Sequence, residues 1–354
     1  AASDVYKRQV LNRVESPAIE DGFLSKEVTL VKADNGLYFP EGSNAGASRD
    51  LKVLQKSDTG VSWYPKPQPT AVFGNGSVHA ITAEEDALEN AVQASGAGDV
   101  IELAAGEYTV RKLLQVAHPL TVRAVTGAAV SIEFERPALF DIQDGGSLEL
   151  KGLHITGRAA PDSAGNAVVR SSRYSMLRPY RLRVENCEIT DLDVNHSFNF
   201  LTVFPSTFAD QVEIHGSTFR NVSGHILALD REKDDLGRYN AEYVAIAGSV
   251  FENIGKTLAA LYRGGTDEST FGPHFSLHHS ELTNVGHDKR NSTGASIFLH
   301  GVQVANISDN RIKDSRPIRV ELTVGDPKTI IRNNQFSGTP APEVSGGEIV
   351  LDNN

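Results

Sequence analysis

Arg231 and Arg263 each follow a short apolar run by one polar residue: Ile226-Leu227-Ala228-Leu229 leads to Asp230-Arg231, and Leu258-Ala259-Ala260-Leu261 leads to Tyr262-Arg263. A third run, Ile297-Phe298-Leu299, leads to His300-Gly301. Two guanidinium groups at equivalent positions of neighbouring segments repel unless carboxylates or a bound anion lie between them. One reading pairs them locally with Asp230, Glu232, Asp267 or Glu268. The other makes them a groove for a carboxylate-bearing polymer, because the planar fork of arginine matches a carboxylate. Tyr262 and His300 share the column beside the arginines and complete this substrate-binding set, and His300, Tyr239 and Arg263 are the candidates for catalysis.

Other ionisable groups read more plainly. His274, Ser276 and His278 alternate with Phe275 and Leu277, so they point outward from a strand, with His274 and His278 four rises of about 3.3 Å apart, too far to share one metal ion. Solvated or turn-bonded histidines are expected there, and no metal site is expected anywhere in the chain. The polar run from Asp230 to Asn240 is a loop interrupting the pattern between strands. No Walker motif, dinucleotide fingerprint, nucleophile elbow or Cys/His metal motif is present.

The elements that would carry these residues recur along the chain. An apolar residue, one spacer, a second apolar residue, four spacers and a third apolar residue match Leu148/Leu150/Ile155, Leu182/Val184/Ile189, Val212/Ile214/Phe219, Val244/Ile246/Phe251 and Phe275/Leu277/Leu282. Weaker copies are Ala305/Ile307/Ile312 and Thr329/Ile331/Phe336. The middle anchors lie 34, 30, 32, 31, 30 and 24 residues apart, a regularity that fits stacked coils and no propeller, leucine-rich or helical repeat. The first two apolar residues share one face of a strand, and the third, after an odd step of five, points inward only if the chain bends between them. Two residues beyond the third position stand Gly157, Asp191, Asn221, Asn253, Asn284 and Asp314, which stacking at about 4.8 Å would convert into a side-chain ladder. The fold expected is all-β: a single-stranded right-handed parallel β-helix.

The repeat begins inside the chain. Thr82 and Glu85 have capping-box spacing, Leu88, Ala91 and Val92 follow a helical period, and Gly96 stands where a C-terminal cap belongs, so a short helix should close one end of the solenoid. Residues 79–354 form the β-helix domain on this reading, and 1–78 are the tail of a preceding domain plus a linker containing Trp63-Tyr64-Pro65-Lys66-Pro67. Strand-like pieces at Val28–Val31 and Leu37–Phe39 belong to that tail. The opening Ala-Ala-Ser-Asp-Val-Tyr-Lys-Arg-Gln resembles translated adapter sequence, so residues 1–10 read as an artefact and the chain as the C-terminal part of something longer.

A formal net charge of −11 gives no global reason to bind nucleic acid or an anionic membrane, so a polyanionic ligand would need a local basic groove. Cys187 is alone, which excludes an internal disulfide and a cysteine-based zinc site. No apolar run approaches the roughly eighteen residues of a membrane span, and no signal segment opens the chain.

Gly98-Asp99-Val100-Ile101-Glu102-Leu103 followed by Gly106-Glu107-Tyr108 resembles the opening of pectin-lyase-like β-helices. More narrowly, Ser62-Trp63-Tyr64-Pro65, the segment from Leu229-Asp230-Arg231 to Tyr239-Asn240-Ala241-Glu242-Tyr243-Val244, and Leu261-Tyr262-Arg263-Gly264-Gly265 resemble the second domain of two-domain alginate lyases of polysaccharide lyase family six, relatives of chondroitinase B. The resemblance implies β-elimination on uronate polymers, in which a cation neutralises the substrate carboxylate while a base removes the neighbouring proton. It also implies a secreted or periplasmic protein.

The family's catalytic domain carries Glu-x-Glu running into Asn-Lys, with an arginine on the next coil. Here Glu133-Phe134-Glu135 runs into Arg136-Pro137, and aligning on Phe251 puts Asn240 in the place of the lysine, with only Arg263 matching. The expectation that follows is a non-catalytic half that shapes or extends the alginate cleft. Its catalytic domain, with any calcium, would lie upstream, and no cofactor is expected in this stretch. Two alternatives stay open: a lyase with its own site around Arg231 and Arg263, using Tyr239 or His300 as base, and a non-catalytic polysaccharide-binding or packing module.

Overall fold

The computed structural model describes residues 72–233, 237–264, 273–321 and 327–354, together with two short strand pairs nearer the N-terminus. Those pairs are Leu30–Lys32 against Tyr38–Pro40 and Lys56–Ser57 against Gly60–Val61, both antiparallel. The remainder of the tail and linker read from the sequence, including Trp63 to Pro67, lies outside the described residues.

From Val78–Ile81 onward the chain winds as a right-handed parallel β-helix with three strands per full coil. Among the described residues the first sheet has eleven strands and the second and third have nine each, all neighbours within a sheet being one coil apart in sequence. One coil shows the construction: Ala241–Ala247 lies in the first sheet, Val250–Ile254 in the second and Ala259–Tyr262 in the third.

The apolar triplet sets the register. Leu148, Leu182, Val212, Val244, Phe275, Ala305 and Thr329 stand opposite one another along the first sheet, and Leu150, Val184, Ile214, Ile246, Leu277, Ile307 and Ile331 form the parallel column. In the second sheet Ile155, Ile189, Phe219, Phe251, Leu282, Ile312 and Phe336 make the third. A parallel sheet with each residue above its counterpart buries like on like, and Phe219 and Phe251 stack at 5.2 Å with planes 15° apart.

Two ladders turn the corners. Asp191, Asn221, Asn253 and Asn284 sit at φ between 55° and 57°, the left-handed region that Asn and Asp tolerate best. Their side chains link successive coils, with Asn253 Nδ2 donating to Asn221 Oδ1 at 3.2 Å and Asn284 Nδ2 to Asn253 Oδ1 at 2.9 Å. Gly157 replaces Asn in this column because a Cβ there would lie 2.7 Å from the Phe198 ring. The other ladder, not expected from the sequence, is buried between the first and second sheets. Backbone N–H groups of Cys187, Ser217 and Ser249 donate to the hydroxyls of Ser217, Ser249 and Ser280, and Asn310, Asn334 and Asn354 continue the series. It satisfies backbone donors where the chain bends away from sheet pairing.

The helix, α1 (Ala87–Ala94), closes one end with Leu88 and Val92 buried against the first coils. It starts later than the expected capping box. Asp86, at φ 55°, is the N-cap without a side-chain cap bond, and Thr82 bonds instead to Glu84 at 3.0 Å. At the other end Ser95, rather than Gly96, closes the last turn. No helix among the described residues is long and apolar enough to cross a membrane.

Candidate functional site

The third sheet carries Tyr262 and His300, and Arg231 and Arg263 follow the ends of its strands. Its strands Leu227–Leu229, Ala259–Tyr262, Ile297–His300 and Ile318–Glu321 lie side by side. Leu229, Leu261 and Leu299 point into the core, so the next residue on each strand faces outward. Tyr262 and His300 pair in register, their rings stacked at 4.3 Å with planes 1° apart. His300 Nδ1 lies 3.0 Å from Glu321 Oε2, the next residue in the column, and Arg319 holds the other Glu321 oxygen at 2.8 Å. The result is an aromatic pair stacked face to face, with an imidazole whose orientation is set by a carboxylate.

The arginines expected to stack as an equivalent pair are not equivalent. Arg231 is exposed, while Arg263 has none of its surface in contact with solvent. Leu229 and Leu261 are still in register, but the chains then part: Arg231 N–H turns to Asn240 Oδ1 at 2.9 Å, whereas Arg263 N–H continues the ladder to His300 O at 2.9 Å. Gly301 (φ 69°) closes over Arg263, and any Cβ there would meet the Arg263 carbonyl.

Tyr239 is buried with its hydroxyl donating to Glu242 at 2.8 Å and its ring edge against Phe208 at 5.5 Å, so its oxygen is turned into the fold. Asn240, in the place of the family's lysine, is fully buried and donates to Thr207 O at 3.0 Å, tying one coil to the next. Glu133 and Glu135 belong to the second sheet and the turn after it, Glu135 lying 3.7 Å from Arg111. No group of three acidic, histidine or cysteine side chains among the described residues could hold a metal ion.

The outward histidines of the first sheet are less exposed than expected. His274 is buried, its ring edge-on to Tyr243 at 4.9 Å, because the outer face of this sheet is itself covered. His278 is half-buried, and burial followed by the neighbouring His279 holds its pKa down at about 4.

The sequence reading missed two residues beside the ladder turn. His225 begins the third-sheet segment of its coil, with Nδ1 2.7 Å from Thr257 Oγ1. Burial, then the charge of Lys256, pushes its pKa down to about 4. Lys256 is half-buried, and burial lowers its pKa, with Arg231 and Arg290 adding to the shift and Asp288 and Asp230 opposing it. The available signal was the offset: Gly224, Lys256 and His287 each stand three residues beyond their ladder asparagine. A groove of ≈ 550 Å³ on the first sheet, under Phe73, is lined by Arg123, Lys151, Arg181 and Arg183. Its cations are matched by Glu102, Glu149, Glu185 and Glu213.

Fold and surface define a pectin-lyase-like parallel β-helix with one polar, aromatic-bearing sheet face. Among solved structures, the PL6 family alginate lyase AlyGC matches 96% of this chain at 39% identity and TM-score 0.78, and a point mutant of that enzyme matches 96% at 40% and 0.79. The chain spans 48% of either matched chain, about half its length. No protein-family model matches, and no curated protein matches.

Proposed function

We propose that this chain is the C-terminal, accessory β-helix of a two-domain, secreted or periplasmic alginate lyase of polysaccharide lyase family six. It would present and extend the uronate polymer while β-elimination, and any calcium that serves it, takes place in a catalytic domain upstream. The observation that carries this reading is the 39% identity running along 96% of the chain but only 48% of the alginate lyase. The chemistry supports it. Elimination needs a base beside the carbon that carries the carboxylate and a cation on that carboxylate. Asn240 stands where the base would be and is spent on joining two coils, and Arg263 is sealed beneath Gly301.

The test is turnover of alginate by these residues alone, followed through the ultraviolet absorbance of the unsaturated product, alongside calorimetric binding. Affinity without turnover is the expected result, and robust turnover refutes the accessory role. One observation favours a second reading, in which the chain has its own site. His300, oriented by Glu321 at 3.0 Å and stacked on Tyr262, is held as a base on the third sheet. On that reading His300→Gln abolishes the turnover that the first reading says is absent.

A further inference from the structure

The groove of ≈ 550 Å³ on the first sheet has two unlike sides. Its floor is one outward column of side chains that crosses five neighbouring strands in register, from Val78 and Val100 through Thr121 to Glu149 and Arg183. One end of that floor is apolar and the other is charged. Over it lies the chain that enters the β-helix, with Val72 and Phe73 as the apolar roof. The roof is pinned at its inner end, where Gly76 N–H donates to Gly98 O at 2.9 Å and Ser77 N–H donates to Asp99 Oδ1 at 2.8 Å. A Cβ on Gly76 would run into that carboxylate, so the close approach requires glycine. Beyond Gly74, at φ 70°, the half-buried Phe73 ring meets the Arg181 guanidinium at 5.6 Å.

Charge in the groove is balanced, since its four cations are met by Glu102, Glu149, Glu185 and Glu213. An anion would gain no net attraction there and would face Glu149, so the groove suits a neutral ligand. Hydrogen bonding is not balanced. Arg181 and Arg183 both line the groove and turn a terminal nitrogen to a carboxylate, at 2.6 Å from Glu213 and 3.1 Å from Glu185. The Nε of each is buried and has no protein acceptor among the described residues. A buried N–H without an acceptor costs free energy, which an oxygen of a bound ligand offsets. Glu149 accepts from the Thr121 hydroxyl at 2.9 Å and faces Lys151 at 3.1 Å, and a carboxylate retains lone pairs beyond two such contacts. The polar end therefore offers two donors and an acceptor, with Arg181 and Arg183 two strand rises, about 7 Å, apart. A wholly apolar ligand would leave those groups unpaired, whereas a hydroxylated ring satisfies them and turns its C–H face to the roof.

We infer that the groove beneath Phe73 is a binding site for a single neutral sugar ring, with its hydroxyls on Arg181, Arg183 and Glu149 and its C–H face against Phe73. The site lies on a different sheet from Tyr262 and His300, and it does not rest on the uronate-polymer reading. Because the ligand carries no charge and one ring fills the site, binding is insensitive to salt and does not grow with oligomer length.

The test is a ligand-observed NMR titration of the full chain with the methyl glycosides of glucose, mannose and galactose, and with monomeric mannuronate as the charged counterpart. At least one neutral glycoside should bind saturably, with the same affinity at low and high salt. Phe73→Ala removes the roof, and Arg183→Lys keeps the charge facing Glu185 while deleting the Nε–H. Each should weaken that binding about fivefold or more, the scale of one lost hydrogen bond or ring contact. Lys313→Ala, an exposed lysine of the second sheet, should leave it unchanged. Melting curves confirm that each variant is folded, and Phe73→Ala, at a half-buried position of the entering chain, carries the test should Arg183→Lys fail to fold. The inference is overturned if no neutral glycoside binds saturably, or if a folded variant of either kind binds within twofold of the unaltered chain. Mannuronate binding as tightly as the neutral glycosides overturns the ligand class. None of these outcomes touches the uronate reading, which concerns the polymer and is tested separately.

Discussion

Arg263→Ala separates a packed arginine from a substrate clamp. The side chain is among the largest in the fold with no exposure, and it has interactions of its own there. Removing two buried methylenes, Cγ and Cδ, costs about 2 kcal/mol. Losing the contacts of a charged head, and leaving its partners buried without them, costs about 2 kcal/mol more. The expected destabilisation is therefore about 4 kcal/mol, in the range measured when one member of a buried charged network is deleted. For a domain of this size that lowers the melting temperature by roughly 7 °C. Arg263→Met keeps the stem and should recover about half of the loss. Calorimetric melting of the two variants, with uronate binding by the folded Met variant, reads the outcome. Stability should fall in the order wild type, Met, Ala, with binding by the Met variant within twofold of wild type. The reasoning is refuted if Arg263→Ala melts like the wild type while oligosaccharide binding disappears, since the guanidinium would then be reaching ligand rather than holding the coil.

Two further expectations concern the scaffold. Asn253→Ala should cost about 2–3 kcal/mol in urea unfolding, from two exposed ladder bonds and from placing alanine at φ 57°, and Asn253→Gly should cost less because glycine takes that φ freely. If glycine proves worse than alanine, backbone strain is not what selects Asn. Acid should weaken the fold through His225 and His278. Both have native pKa values of about 4, below the ordinary histidine value of 6.5, so the unfolded chain takes up their protons first. Their stabilising effect is complete above pH 6.5 and is lost as pH falls from 6.5 toward 4, by about 2 kcal/mol each after allowing for partial exposure. His278→Gln should flatten the dependence of melting temperature on pH across that window, and an unchanged slope would show that carboxylates alone govern it.

What the sequence determined by itself was the scaffold. Leu148, Leu150 and Ile155 and their successors could be aligned by counting, and each fell opposite its counterpart, because parallel stacking turns a fixed sequence interval into a fixed position in space. The ladder at Asn221, Asn253 and Asn284 was legible for the same reason. The buried Ser217–Ser249–Ser280 ladder was not, because a serine two or three residues past an apolar column looks like any turn residue until the corner shows which way it points. The start of α1 also escaped, since the backbone at Asp86 took the left-handed region and replaced the expected side-chain cap.

For the site, sequence offset placed Tyr262 over His300 correctly, because both lie within paired strands. It failed for Arg231 and Arg263, which stand two residues beyond Leu229 and Leu261, where the pairing of their coils ends. There the fate of a side chain depends on which backbone it follows, and only tertiary structure decided that Arg231 is exposed, that Arg263 and Tyr239 are sealed, and that Lys256 is half-buried in the fields of both arginines and aspartates. Repeat periodicity constrains what stacks in a sheet. Exposure, ion pairing and the field at a charged group depend on loops and neighbouring coils that no single interval encodes.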